Sequence, residues 1–260
     1  MASAHLTVLG SGASGGVPVV ACDCGVCRSG APQNKRARTS CLIECEGKTW
    51  CVDTGPDFRF QALRAGVKKL DGVFYTHPHS DHVNGFDDLR AFCAPTRRAV
   101  PIYSDEFCID MLREKFGYGF LPVKNDNWNR PAVEPHVIEE GDFEAWGMTF
   151  RMFRLPHGPW RSCCYRFGSL AWLTDVGEVD DATVENNLQG LDWLFIDCLM
   201  PRKCCSHLNH EAAFDAAARI GAKRTALVHV SHRFGHEELA ALCPPGVEPA
   251  YDGMEADFEI

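Results

Sequence analysis

The segment Thr76-His77-Pro78-His79-Ser80-Asp81-His82, directly after the apolar run Val73-Phe74-Tyr75, decides how the rest of the chain is read. His77, His79, Asp81 and His82 cannot all face one way on a regular strand or helix, so the segment must turn. Imidazoles interleaved with a carboxylate suit Zn²⁺, Mn²⁺ or Fe²⁺, and their alternation lets two metals divide one loop. The plain alternative is a solvated His-rich loop. That would account for one adjacent His pair better than for four donors this close.

Further donors recur at strand ends downstream. His157 lies in Leu155-Pro156-His157-Gly158, Asp175 in Trp172-Leu173-Thr174-Asp175, and His229 in Leu227-Val228-His229-Val230. Each alone reads as a structural residue; in order after the first motif they read as a set. Cys22-Asp23-Cys24-Gly25-Val26-Cys27 is a second constellation. Three thiols in six residues have the spacing of a Zn²⁺ knuckle, one ligand short of a tetrahedron, with a redox or free-thiol loop as the competing reading.

The surrounding pattern is mainly β. Leu6 to Leu9 predicts a strand leading into the glycine-rich turn Gly10–Gly16, which resembles a dinucleotide fingerprint only loosely. Residues 41–45 and 49–53 predict a hairpin ending at Asp53. Further strands are expected over 147–154, 163–168, 170–174, 193–196 (capped by Asp197) and 226–230, the last taken as final. Ser104 is expected to N-cap a helix burying Phe107, Met111 and Leu112, and Asn209 a helix through Ile220 closed by Gly221. Residues 118–135 read as a loop or insertion.

Composition sets the class. The 260 residues are 45% hydrophobic and 23% charged, which excludes general disorder. A net charge of −9 argues against nucleic acid as a partner, and Lys35-Arg36-Ala37-Arg38 reads as a solvated run rather than a basic patch. No apolar run approaches a membrane span, and the N-terminus lacks signal-peptide features, so a cytoplasmic protein with reduced thiols is expected. Most of the 14 cysteines outside the knuckle are expected to be small core residues. Nothing separates two domains, so residues 1–260 are taken as one, with the knuckle inserted at about 20–30.

With these motifs in hand, the sequence resembles the metallo-β-lactamase superfamily, whose hallmark is H-x-H-x-D-H after a strand. The knuckle narrows the resemblance to the phosphoribosyl 1,2-cyclic phosphate phosphodiesterases of phosphonate degradation. It covers the chain from Leu6 to Tyr251-Asp252-Gly253-Met254. The resemblance implies an α/β, four-layer αβ/βα sandwich of two mixed β-sheets with helices outside. It implies one metal on His77, His79 and His157, another on Asp81, His82 and His229, and Asp175 bridging them, the metals being Mn²⁺ or Zn²⁺. Asp53 would support the loop from behind the ligands. It implies a structural Zn²⁺ on Cys22, Cys24, Cys27 and His232, the histidine three residues after His229. His207 becomes the general acid, a role that suits an imidazole titrating near neutral pH, with His210 as its competitor.

The implied substrate is a small phosphate ester, 5-phosphoribosyl 1,2-cyclic phosphate opened to ribose 1,5-bisphosphate, and the implied assembly is a homodimer. Arg161, Arg166, Arg202 and Lys203 are candidates for the substrate phosphate. Two features depart from the family pattern: the Trp/Asn-rich stretch 118–135, and Thr174-Asp175-Val176-Gly177. Other readings on the same scaffold are a tRNA-processing nuclease, a thioesterase, a flavo-diiron oxidoreductase and a carrier like the pyrroloquinoline quinone biosynthesis protein. The nuclease lacks its basic arm here, and Ser80 stands where the diiron site prefers Glu. A thioesterase would not carry the knuckle, and a full donor set argues against an inert carrier.

Overall fold

Strand pairing divides the protein into two seven-stranded sheets. The computed structural model describes residues 2–124 and 128–260. The first sheet contains β1 (Ser3–Gly10), β2 (Ser40–Cys45), β3 (Lys48–Val52), β4 (Gly72–Phe74), β5 (Val100–Ser104), β6 (Val133–Val137) and, from the far end of the chain, β14 (Glu255–Glu259). The second contains β7 (Gly141–Ala145), β8 (Met148–His157), β9 (Trp160–Phe167), β10 (Leu170–Leu173), β11 (Trp193–Asp197), β12 (Arg224–Val228) and β13 (Val247–Pro249). Their orders are β14-β1-β2-β3-β4-β5-β6 and β13-β12-β11-β10-β9-β8-β7. Each sheet is antiparallel through four strands and parallel through the remainder, from β3 to β6 and from β10 to β13.

Three apolar layers follow from this. Between the sheets lie Leu6, Val8, Ile43, Trp50, Phe74, Phe150, Phe167, Trp172, Phe195 and Phe258. A second layer joins the outer face of β10–β12 to the helices Asp181–Asn187, His210–Ile220 and His236–Leu242. The third joins the outer face of β3–β5 to helices Phe58–Arg64, Arg90–Thr96 and Glu106–Lys115. This is the expected αβ/βα sandwich. No helix among the described residues is long and apolar enough to cross a membrane.

Local departures have physical causes. Asp105, not Ser104, caps the Glu106–Lys115 helix, its carboxylate accepting from Cys108 N at 2.9 Å. Ser104 instead ends β5 and donates to Tyr75 O at 2.7 Å. That helix buries Cys108, Ile109 and Leu112, whereas Phe107 is 46% exposed. The stretch expected as a loop contributes a short 3₁₀ turn, Gly117–Phe120, and β6, a strand that tolerates Pro135 because it lies at the sheet edge. Residues 125–127 of that stretch lie outside the described residues. The 226–230 strand stops at Val228 and is not final, since β13 and β14 follow. Arg36 is not solvated: it is 2% exposed and enclosed by backbone carbonyls.

The parallel halves point their C-terminal ends at one rim of the sandwich, where ligands bind in open α/β sheets. There the chain must leave each strand abruptly. Asp53 after β3, Asp175 after β10 and His229 after β12 all adopt left-handed backbone, with φ of 61°, 57° and 58°. Non-glycine residues rarely take this conformation, and it concentrates at functional sites. The Asp81-His82 turn is seated on Thr54 and Gly55, with Thr54 N donating to His82 O at 2.8 Å. A Cβ on Gly55 would stand 2.0 Å from Asp81 O. Gly55→Ala is therefore expected to cost at least about 2 kcal/mol by overpacking. Denaturant unfolding measures this, and an unchanged midpoint would show that the turn has room to move.

Candidate metal centre

Three of the inward imidazoles at the rim, His77, His82 and His157, have a partner on the far side of the ring. Asp53 is fully buried; Oδ1 accepts from Thr76 N at 2.8 Å, and Oδ2 accepts from Thr76 Oγ1 at 2.8 Å and His82 Nδ1 at 2.7 Å. That leaves His82 Nε2 facing the centre. His157 Nδ1 donates to Ser206 O at 2.8 Å, and His77 Nδ1 lies 3.0 Å from Thr76 Oγ1. Such outward bonds fix ring orientation and tautomer in metal-binding imidazoles.

The inward atoms crowd one another. His79 Nδ1 lies 2.8 Å from His77 Nε2 and 3.2 Å from His157 Nε2. Asp175 Oδ1 lies 3.8 Å from Nε2 of both His77 and His157 and 3.5 Å from His229 Nε2. Its Oδ2 is 3.1 Å from His82 Nε2, which is 3.3 Å from Asp81 Oδ2. Both ring nitrogens of His229 are buried without a hydrogen-bond partner. Nitrogen ligands of a tetrahedral zinc stand about 3.4 Å apart, so these spacings suit donors gathered around cations. Two groups could each hold an ion: His77, His79, His157 and Asp175; and Asp81, His82, Asp175 and His229. Asp175 belongs to both.

The electrostatics divide the imidazoles. Burial pushes His77, His79 and His157 down, favouring neutral rings. Burial opposes charge on His82 as well, but Asp175, Asp53 and Asp81 outweigh it and hold this ring well above the usual range. His229 is likewise raised against its burial by Asp175 and Asp81. For Asp175, burial would raise the pKa, but His229, His82 and His77 hold it well below the usual carboxylate range.

His207 stands beside this cluster. Its Nδ1 donates to buried Asp197 Oδ2 at 2.7 Å, and its Nε2 points inward, 3.9 Å from Asp175 Oδ1. Val176 N donates to the same Asp197 oxygen at 3.0 Å. Its ring stacks on His229 at 4.8 Å with an interplanar angle of 7°. His210 turns away, its ring packed edge-on against Phe214 and Phe234. The geometry thus separates the two histidines that the sequence leaves in competition.

The cysteine loop closes on the same segment from behind. Cys22, Cys24 and Cys27 Sγ lie 3.2, 3.7 and 3.5 Å from His232 Nδ1. Around a tetrahedral zinc, sulfur and nitrogen ligands stand about 3.6 Å apart, so four donors of the right softness could hold one ion. The backbone N–H of Cys27 draws the Cys24 thiol down to about 6. Of the other eleven cysteines, eight are buried, as expected, while Cys204, Cys205 and Cys243 are not. Among the phosphate candidates, Arg166 is at the wrong end of β9, donating to Gly168 O and Asn187 O. Arg161 adjoins the rim, and Arg202 and Lys203 are exposed on the segment that leads to His207.

The family model for the β-lactamase superfamily domain matches residues 49–230. A solved structure described as a new diphosphatase of the PhnP family superposes with a TM-score of 0.91 at 39% identity, covering 99% of this chain and 98% of that one. The chain belongs to the metallo-β-lactamase superfamily, and within it to the PhnP family. It is a hydrolase of that fold, whose members bind divalent metals such as Zn²⁺. An octanoyltransferase from Porphyromonas gingivalis is 39% identical over 253 residues, 96% of this chain but 50% of that protein; the chain thus spans half its length. The Zn²⁺-bound PqqB of Methylobacterium extorquens shares the fold at a TM-score of 0.75 and 18% identity, over 98% of this chain and all of that one.

Two contributors escaped the sequence reading. Asp197 looked like a strand cap, and its use as the partner of His207 shows only once β11 ends at the rim. In sequence Arg36 is one residue of the charged run Lys35-Arg36-Ala37-Arg38. Its guanidinium donates to Gln33 O, Ser231 O, Phe234 O and Asn34 Oδ1, pinning the loop that carries both His229 and His232.

Because Asp175 and Asp81 raise the proton affinity of His82 and His229, a cation competes with protons for these rings. Zn²⁺ loading at pH 7 is expected to release at least one proton per chain, and affinity to weaken as pH falls. Calorimetry in buffers of different ionisation enthalpy reads this directly; a buffer-independent heat would contradict it.

Proposed function

We propose that this PhnP-family hydrolase cleaves small phosphodiesters, with 5-phosphoribosyl 1,2-cyclic phosphate opened to ribose 1,5-bisphosphate as its cyclic substrate. The observation that carries the reading is the shared carboxylate of Asp175, flanked by two donor groups and faced by a histidine that belongs to neither. His77, His79 and His157 would hold one Mn²⁺ or Zn²⁺, and Asp81, His82 and His229 the other, with Asp175 common to both. A divalent pair supplies Lewis acidity and an activated water, suited to in-line displacement at phosphorus. Cys22, Cys24, Cys27 and His232 would hold a separate structural Zn²⁺.

The protein's own part in the reaction is positioning and proton transfer. Asp53, Thr76 and Ser206 O fix the imidazoles so that donors need not reorganise during turnover. Asp197 accepts from His207 Nδ1, stabilising a ring that carries a second proton on Nε2. That proton is available to the departing alkoxide, and the neutral ring then regains it from water. General acid help of this kind contributes about 10²–10⁴-fold.

A second reading, diphosphate hydrolysis, is favoured by the 39% identical diphosphatase. The two differ in the leaving group. An alkoxide needs a proton, whereas a phosphate departs readily without one. His207→Ala is therefore expected to lose about 10²–10⁴-fold in kcat on a ribosyl 1,2-cyclic phosphate while keeping its metals. On a nucleoside diphosphate the same variant should lose far less. Equal losses on both would remove His207 as the acid. A thioester preferred over every phosphate ester by the metal-reconstituted enzyme would sink the phosphoesterase reading.

The knuckle and the dinuclear group are separable by metal analysis. Purified protein is expected to carry about three metals per chain, and Cys22→Ser to lose one zinc. A single tightly held zinc in the unaltered protein would instead favour a non-catalytic carrier.

A further inference from the structure

Two adjacent thiols, Cys204 and Cys205, stand apart from the other cysteines. Cys205 is exposed and Cys204 is half-buried. Burial pushes every other thiol outside the knuckle up, which leaves those side chains protonated and inert. The pair lies in a loop whose base is closed by Leu199 N donating to Leu208 O at 3.0 Å and by a bridge between Met200 and Asn209. Inside that loop Cys204 Sγ lies 3.6 Å from His207 O and 3.9 Å from Ser206 Oγ. Arg202 and Lys203 precede the pair, and both are exposed.

The backbone of this pair is tied to the candidate metal centre. Cys205 O packs on Gly177, two residues beyond Asp175, where a Cβ would stand 2.6 Å from it. Ser206 O accepts from His157 Nδ1 at 2.8 Å, and His207 follows with its bond to Asp197. A disulfide between adjacent residues does not fit without moving that backbone. Neighbouring Cα atoms stand about 3.8 Å apart, short of the span of about 4.4–6.8 Å that ordinary disulfides adopt. Closing the ring therefore requires the Cys204–Cys205 peptide to turn. The resulting bond is strained and easily reduced, the character of disulfides that switch rather than staple.

We propose that Cys204 and Cys205 are a reversible modification site for anionic low-molecular-weight disulfides, and that its oxidised form displaces His157 and His207. The Cys205 thiolate, the accessible one, attacks one sulfur of the incoming disulfide and expels one thiolate. The Cys204 thiolate then attacks Cys205 Sγ, forms the intramolecular bond and releases the second thiol. The protein gives up two thiol protons and two electrons, and the small disulfide takes them up and leaves as two thiols. Arg202 and Lys203 favour an anionic reagent, since they place positive charge beside the pair on a chain of net charge −9. The modification stands independently of the phosphoesterase reading; only its effect on turnover rests on that reading.

Metal-loaded full-length protein is treated with oxidised glutathione, and its peptides are mapped by mass spectrometry. In the unaltered protein the peptide holding Cys204 and Cys205 is expected to lose two hydrogens and carry no glutathione. Cys204→Ser should trap glutathione on Cys205, and Cys205→Ser should show neither change. Turnover of a ribosyl 1,2-cyclic phosphate should fall at least about tenfold on oxidation, as small misplacements of catalytic groups do, and return with dithiothreitol. Cys205→Ser should keep its turnover under the same treatment. The imidazole NMR signals of His157 and His207 read the displacement without turnover, shifting on oxidation and returning on reduction. A pair that stays reduced under excess reagent, or glutathione that stays on Cys205 of the unaltered protein, overturns the proposal. So does an equal loss of turnover in Cys205→Ser, or a closed disulfide that leaves both imidazole signals unmoved. A protein that hydrolyses no ester but shows the disulfide and the NMR shifts would sink the phosphoesterase reading and leave the thiol site standing.

Discussion

The carboxylate of Asp175 is the charge on which the site is built. It is 2% exposed, and burying a carboxylate is costly unless something compensates it. Here His77, His82, His157, His207 and His229 all bring a ring nitrogen to within 3.1–3.9 Å of its oxygens. Taken alone, those imidazoles would repel one another when protonated or leave lone pairs unmatched when neutral. Together with Asp175, Asp81 and Asp53, they form an arrangement of alternating sign that tolerates burial with protons and would gain further from divalent cations. The position of Asp175 at the end of β10, with its backbone turned left-handed, sets the meeting point for donors from both sheets.

That meeting requires the sandwich. His77 to His82 come from the first sheet, and His157, Asp175, Asp197 and His229 from the second. Only face-to-face packing of the two parallel halves brings their C-terminal ends to one rim. The inter-sheet aromatics do this indirectly: Phe74 packs against Tyr165 and Phe167 at 5.3 Å, registering β4 against β9. A few residues farther along those strands lie the histidine loop and Trp160. Core packing and site geometry are thus linked through strand register, in which a one-residue slip would turn every side chain to the opposite face.

What the sequence made legible, and what it hid, divides along the same line. The donors announce themselves because ligand chemistry is local: four groups in residues 77–82, three thiols in residues 22–27. Strands with a buried apolar run, such as Trp193–Ile196, were equally plain. Features that depend on distant partners were not. Arg36 looked charged and exposed because its carbonyl partners at 231 and 234 lie almost two hundred residues away. Asp197 looked like a cap because its histidine sits ten residues on, across a loop of no regular pattern. Edge strands β6, β13 and β14 carry one half-buried face or a proline, and little periodicity survives in three to five residues. Ser104 and Asp105 are both competent caps, and the choice rests on Ser104 being drawn into the Tyr75 carbonyl.

The donor set also bounds how much specificity it can supply. Hydroxide attack at phosphorus proceeds in the same way for a cyclic ester, a linear diester or a diphosphate, so residues around the cations cannot by themselves choose among them. Discrimination has to come from groups that contact the leaving alcohol or the remainder of the substrate. Under the proposed function His207 is one such group, because its proton goes to the leaving oxygen. Arg36 and the knuckle then acquire a distinct purpose. Arg36 fixes the carbonyls of Ser231 and Phe234 and the cysteines meet His232, so the loop that gives His229 its left-handed backbone is held from behind by the protein itself.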